Sequence, residues 1–266
     1  MEYKIIQTND FAYLTFTSLE KYNVVNAIIL RENMGFSRNL EPDKRDKSID
    51  KIKTAFNIKE IVQPHQNHTD ISTTIASINS VEYSDAVILE QRNIATIIAT
   101  ADCMPIIVYD PINHVGANIH AGWKGIVNKI TEKTIKKLLN EYNSNPNDLI
   151  ICIGPCVRKD NFLVNDDVVK IYIEAFQDEE LEKYIIKTDK RNDKGINYSI
   201  DNSKLIESRL IKLGIKKSNI HDCGICTVDN NDVFILYLLS PYLNRNCSFS
   251  FNFYYFWFSK QHIQHK

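Results

Sequence analysis

The sequence predicts a single α+β or α/β domain, with strands buried between helical layers. Three observations predict it. Strand-length runs rich in Ile, Val, Tyr and Thr recur along the chain, amphipathic helical patterns alternate with them, and neither a repeat nor a convincing domain boundary interrupts the series. At 266 residues the chain is long enough to enclose a sizeable core.

Each element follows from its residues. Residues 3–7 and 12–17 read as two opening strands, and 43–56 as a helix with Ile49, Ile52 and Phe56 on its apolar side. Residues 85–89, 95–101, 106–109, 115–119 and 149–153 are apolar runs of strand length. The clearest helical pattern spans 125–142, where Ile126, Ile130, Ile135, Leu138 and Leu139 can share one face. Asn165-Asp166 is placed to cap a helix carrying Val168, Val169, Ile171, Tyr172 and Phe176. A further helix over 203–213 ends at Gly214, a residue suited to the left-handed position after a helix. The polar stretch 188–195 is the best loop candidate.

Composition excludes several classes of function. Lys and Arg number 32 against 33 Asp and Glu, a net charge of −1 that argues against electrostatic binding to nucleic acid. The basic pairs Lys136-Lys137 and Lys216-Lys217 read as solvated faces. The amino terminus has no secretory pattern, and no apolar run is long enough to cross a bilayer; the nearest, 233–239, is strand-sized. The expectation is a cytosolic protein whose six cysteines are reduced thiols or ligands.

The chemistry concentrates in two blocks, Thr100-Ala-Asp-Cys-Met-Pro105 and His120-Ala-Gly-Trp-Lys-Gly125, each at a strand end. A third block, Gln63-Pro-His-Gln-Asn-His68, supplies further imidazoles after Glu60-Ile-Val. One sulfur and two nitrogens from three segments suffice to hold a zinc ion and leave a coordination position open. Taken singly, His120 reads as a buried, hydrogen-bonded histidine and Cys103 as a small buried hydrophobe; together they point to a metal centre. His65 and His68 follow the same strand, and spacing does not choose between them. Asp102 is a general base, a partner of a ligating histidine, or a turn-former. Gly122 and Gly125 permit close backbone approach at a helix start, where amides favour phosphate and Lys124 adds charge. Cys223-Gly-Ile-Cys226 has the spacing of half a zinc ribbon or a redox dithiol, but no second such pair exists, so buried thiols are the preferred reading, as for Cys152 and Cys156. No phosphate-binding P-loop and no Ser-His-Asp hydrolase signature is present.

These blocks, with Tyr109-Asp-Pro111, Ile153-Gly-Pro-Cys156, the segment from Phe162 and Cys226-Thr227, resemble the laccase-domain or polyphenol oxidase family, also described as purine nucleoside phosphorylases. The resemblance covers roughly residues 12–234. It implies an α/β/β/α sandwich with mixed sheets, and zinc held by His65, Cys103 and His120. It implies phosphorolysis of adenosine, inosine and S-methyl-5′-thioadenosine, with adenosine deamination as a side activity. Cys103, Asp102 and Lys124 are then the expected catalytic residues, and Gly122, Trp123 and Gly125 the substrate-binding ones. Copper-dependent phenol oxidation is the alternative chemistry, although seven scattered histidines suit one zinc better than a copper cluster. A metal-bound scaffold without activity is a further alternative.

The chain departs from the family in two places. No Arg stands in the turn after the second strand, which continues Phe16-Thr-Ser-Leu19 with no Arg until Arg31, and the family's closing Phe-Ser-Tyr-Arg-Arg pattern is replaced by Phe234-Ile-Leu-Tyr-Leu-Leu-Ser-Pro241. Divergence and a change of reading frame near Val233 both account for the second. The expected organisation is therefore a domain over 1–240 and a divergent aromatic tail over 241–266, with monomer and homodimer both open.

Overall fold

The computed structural model describes residues 2–22, 24–30, 42–75, 83–91, 93–190, 198–230 and 253–259. In chain order the first half comprises β1 (Tyr3–Gln7), β2 (Ala12–Phe16), β3 (Val24–Ile29), α1 (Pro42–Phe56), β4 (Glu60–Val62), β5 (Ser72–Thr74), β6 (Ala86–Leu89), β7 (Ile94–Thr100), β8 (Met104–Asp110) and β9 (Val115–Ala121). The second half comprises α2 (Trp123–Val127), α3 (Ile130–Glu141), β10 (Ile150–Ile153), β11 (Leu163–Val164), α4 (Asp166–Ala175), β12 (Ile185–Lys187), β13 (Tyr198–Ile200), α5 (Asn202–Lys212), β14 (Ile220–Asp222) and β15 (Phe253–Ser259).

Among the described residues two six-stranded sheets form, ordered β1-β2-β3-β15-β7-β4 and β14-β10-β8-β9-β6-β5, with a three-stranded sheet β11-β13-β12. Both large sheets are mixed: β4–β7, β5–β6 and β10–β14 are parallel, and the remaining pairs are antiparallel.

Side-chain alternation explains how these sheets stack. In β8, Ile106 and Val108 join a core shared with α2, α3, α4 and α5, while Ile107 and Tyr109 turn to the opposite face. There they meet Leu14, Phe16, Ile28 and Ile98 of the first sheet. In the first sheet, Ala27, Ile29, Ala95 and Ile97 point outward and are covered by Ile52 and Phe56 of α1. Three cores thus separate four layers, α1, sheet, sheet, and the helices α2 to α5. This is the α/β/β/α sandwich that the sequence resemblance implies. Because β8 and β9 are covered on both faces, all their residues are buried, and they read as continuous apolar runs. Truncating Ile107 to Ala between the sheets is expected to cost about 2–5 kcal/mol.

Three expectations need correction. The helix expected over 125–142 is two helices, α2 and α3, because Lys129 adopts a left-handed conformation (φ 65°). Asn165 does stand at the start of α4, but its side chain makes no capping hydrogen bond; at α5 the cap is Asp201, which accepts from the Lys204 N–H at 3.1 Å. The third concerns the aromatic tail: residues 253–259 form β15, hydrogen-bonded to β3 on one side and β7 on the other, so both backbone edges of that segment are used. The apolar run 233–239 lies outside the described residues. Among the described residues no helix is long and apolar enough to cross a membrane.

Candidate metal centre

The centre is assembled where β8 begins and β9 ends. The antiparallel register pairs Met104 with Ala121, which brings Cys103, one residue before β8, across from Gly122, one residue after β9. Cys103 leaves its turn through Asp102, held at φ 71°, a left-handed conformation that Asp tolerates better than most residues. Two bonds fix that turn: the Asp102 carbonyl accepts the Val157 N–H at 2.9 Å, and its carboxylate accepts the Thr227 hydroxyl at 2.7 Å.

The third donor arrives on the loop after β4. Gln66 copies a strand residue, donating its side-chain amide to the Ala99 carbonyl and accepting the Ala99 N–H, both at 2.7 Å. His68 follows at φ 55°. Beyond it, Asp70 pairs with Lys133 of α3, and Lys137 donates to the Ser72 carbonyl at 3.1 Å. Asp85, wholly buried just before β6, then ties the loop down: its carboxylate accepts the N–H groups of Asn67 (3.1 Å), His68 (3.1 Å) and Thr69 (2.6 Å), and the Thr69 hydroxyl (2.7 Å).

The result is one cluster: ligand atoms of His68, Cys103 and His120 all lie within 4.8 Å of one another. Cys103 Sγ stands 3.7 Å from His68 Nε2, close to the roughly 3.5 Å expected for a sulfur and a nitrogen sharing a tetrahedral zinc. The His68 and His120 rings meet edge to face with centroids 4.8 Å apart. His68 is exposed, Cys103 half-buried and His120 buried, so the cluster opens on one side.

His65 is not part of this cluster. Its carbonyl accepts the Ser84 N–H at 3.1 Å, and its ring packs against Tyr83 with centroids 5.1 Å apart. The sequence left His65 and His68 as competitors, and the resemblance favoured His65; the left-handed turn at His68 and the Asp85 bonds bring His68 inward instead.

Electrostatics suit a cation. Burial alone would raise the Asp85 carboxyl, but hydrogen bonds from His120 and Thr69 outweigh it and bring it down to about 2. An ionised Asp85 makes His120 Nδ1 a donor, at 2.7 Å, and turns Nε2 toward the cluster. Burial opposes charge on His120, yet the bonds to Asp85 and Cys103 raise it to about 9. Burial likewise opposes the Cys103 thiolate, but hydrogen bonds from His120 and His68 pull the thiol down to about 7. A cation entering the cluster replaces protons on these groups.

The cradle is lined by Gly122, whose φ of −65° any residue accepts. Space is what demands glycine here: a Cβ would stand 2.8 Å from His68 Cδ2 and 3.1 Å from Cys103 Sγ. A Cβ on Gly125 would come within 3.2 Å of the Thr69 carbonyl, so α2 packs directly on the His68 loop. Donor chemistry and space therefore both fit a small borderline-soft metal ion. Lys124 and Trp123 follow Gly122 on the five-residue α2; Lys124 is exposed, its ammonium 5.9 Å from the Trp123 ring centroid, and Trp123 packs against the helix-side core. So short a helix carries a weak dipole, which reduces the phosphate attraction expected of a long helix here.

A pattern described as multi-copper polyphenol oxidoreductase laccase matches residues 16–238. The chain belongs to that family. A purine nucleoside phosphorylase of Clostridium acetobutylicum is 34% identical over 121 residues, 46% of this chain and 51% of that protein. One from Bacteroides thetaiotaomicron is 30% identical over 150 residues, 56% of this chain and 53% of that protein. These matches span about half the length of each relative; one from Staphylococcus aureus is 29% identical across 70% of both chains. Among solved structures, the Bacillus licheniformis hypothetical protein YfiH superposes with a TM-score of 0.83 at 18% identity, over 96% of this chain and 99% of that one. YlmD from Geobacillus stearothermophilus gives 0.80 at 15% identity, over 97% and 99%. These two establish the shared fold.

Sequence reasoning missed Asp85, whose signal is an acid directly ahead of the wholly buried run Ala86–Leu89. It also missed Arg158, whose guanidinium grips Asp222 through two 2.7 Å bonds and donates to the Ile225 carbonyl at 3.0 Å. This pins the turn bearing Cys223 and Cys226, which are buried, unbridged thiols, as are Cys152 and Cys156. The segment 234–241, where the family's arginine pattern is replaced, lies outside the described residues.

Proposed function

We propose that this chain is a zinc-dependent purine nucleoside phosphorylase. The observation that carries the reading is the convergence of His68, Cys103 and His120 beside the Gly122 cradle. The relatives named purine nucleoside phosphorylase supply the substrate class. Zinc held by the three side chains would supply fixed positive charge and Lewis acidity toward a substrate oxygen. A single mononuclear set of one thiolate and two imidazoles, with no second cluster of three such ligands among the described residues, argues against a multicopper oxidase centre, and zinc is the metal proposed for it.

The chain's own groups divide the remaining work. Lys124 and the backbone near Gly122 hold phosphate at the rim, and Trp123 offers an aromatic face for the purine. Asp102 holds the turn that presents Cys103 through its bond from the Thr227 hydroxyl, and the same carboxylate orients a ligand or relays a proton to the departing base. In phosphorolysis an oxygen of hydrogen phosphate forms a bond to the sugar carbon as the carbon–nitrogen bond to the purine breaks and the phosphate's proton passes to the purine nitrogen, giving the free base and ribose 1-phosphate, or the corresponding 5-methylthio sugar phosphate. Adenosine deamination at the same site is the proposed side activity.

The test is elemental analysis of the purified protein, followed by incubation with adenosine, inosine or S-methyl-5′-thioadenosine with and without phosphate. Phosphate-dependent release of free base supports the reading. Oxygen uptake with a phenol and bound copper would replace it with oxidase chemistry, and full zinc occupancy without turnover would leave a binding scaffold.

A further inference from the structure

We infer that Asp85 is the positioning residue that couples closure of the 66–71 loop to the orientation of His120, making them a single event. The inference rests on reading the His68, Cys103 and His120 cluster as a metal centre. Its basis is the hydrogen bonding around one wholly buried carboxylate. One oxygen, Oδ1, accepts the His68 N–H and the His120 ring N–H; the other, Oδ2, accepts Asn67 N–H, Thr69 N–H and the Thr69 hydroxyl. Five donors exceed the roughly four lone-pair sites of two carboxylate oxygens, so at least one site is shared. Asp85 therefore has no capacity left to take a proton from substrate, and its role lies in holding other groups.

The backbone of Asp85 adds to the junction. Its carbonyl accepts the His120 N–H at 2.7 Å, and its N–H donates to the Ile71 carbonyl at 3.1 Å. One residue thus grips His120 at both ring and backbone, and the loop at both ends of residues 67–71. Oδ1 bridges the two metal-facing histidines directly, since it bonds the backbone of one and the ring of the other. A change on the loop should consequently be felt at His120, with no contact between the altered group and the metal required.

The substitution Asp85→Asn tests this because it keeps the volume while turning an NH2 group toward at least two donors. Thr69→Val is the milder companion, removing one hydroxyl donor and preserving shape. Three readouts apply to each variant: zinc affinity by chelator competition, amide hydrogen exchange at residues 67–69 in metal-stripped protein, and the His120 Nδ1 proton resonance. For Asp85→Asn we expect about 10–100-fold weaker zinc binding, the range for lost partners of ligating histidines. Exchange at 67–69 should be about tenfold faster or more, as for a locally opened segment. Thr69→Val should show the same changes in smaller measure, including a shifted His120 resonance.

The inference is overturned if folded Asp85→Asn retains wild-type protection at 67–69, or if zinc affinity is unchanged while only global stability falls. Should Asp85→Asn not fold, an unshifted His120 resonance in Thr69→Val overturns it equally. If the wild-type chain binds no zinc, the metal reading fails by itself, and the exchange and resonance measurements still decide the coupling.

Discussion

Gly122 backs directly onto His68: a Cβ placed on the glycine would lie 2.8 Å from the imidazole Cδ2, with Cys103 Sγ at 3.1 Å. The backbone there is ordinary, so Gly122→Ala brings no torsional strain, only an extra methyl against His68 and Cys103 of the candidate centre. The expected outcome is a folded protein with zinc affinity reduced about tenfold or more, in the range found when ligand placement is disturbed. Elemental analysis after dialysis, beside a thermal melt, checks both halves of that expectation.

Cys103 should be the reactive thiol of the metal-stripped protein. Its thiol is brought down to about 7, whereas burial pushes Cys152, Cys156 and Cys223 up to about 12. Because the thiolate is the nucleophile, iodoacetamide labelling at Cys103 should rise as pH increases through about 7 and fall below it. Peptide mapping should find Cys152, Cys156 and Cys223 unlabelled in the folded state, and zinc should protect Cys103.

Arg158 tests a structural role away from the centre. Removing its guanidinium by Arg158→Ala takes the charged partner from Asp222, which keeps the Gly224 N–H at 2.9 Å, and one of two donors from the Ile225 carbonyl, which keeps the Cys156 N–H at 3.3 Å. The loss should cost about 2 kcal/mol, in the range for hydrogen bonds to a charged group, since Asp222 is half-buried and keeps another donor. Urea unfolding measures it, and zinc content per folded chain should remain at the wild-type value.

Lys124 is exposed, so Lys124→Ala should leave the melting temperature within a degree or two, the usual range for surface changes. Under the proposed function it should raise the KM for phosphate severalfold while the KM for nucleoside changes little. Steady-state kinetics with each substrate varied in turn will show the split.

Much of the fold was legible because burial follows strand alternation. The run 106–109 and its neighbours were read as strands from apolar content alone, and they proved to be the doubly covered centre of the sandwich. β3 escaped notice because Asn26 interrupts its apolar run. That side chain is buried and bonds both the Phe16 N–H (2.6 Å) and the Phe16 carbonyl (3.3 Å), a partnership only the folded sheet supplies. The helix break at Lys129 was equally hidden, since Ile126 and Ile130 keep helical spacing across it. In the centre, Cys103 and His120 were evident from their strand ends. The choice between His65 and His68 was not, because it depends on a carboxylate at position 85 that reaches the loop only through tertiary structure.

Zinc stoichiometry in three proteins tests the central claim most directly: the wild type, His65→Ala and His68→Ala, each metal-loaded, dialysed and analysed. The account expects one zinc per chain in the wild type and in His65→Ala, and a loss of most of the metal in His68→Ala. Retention by His68→Ala together with loss from His65→Ala would contradict it.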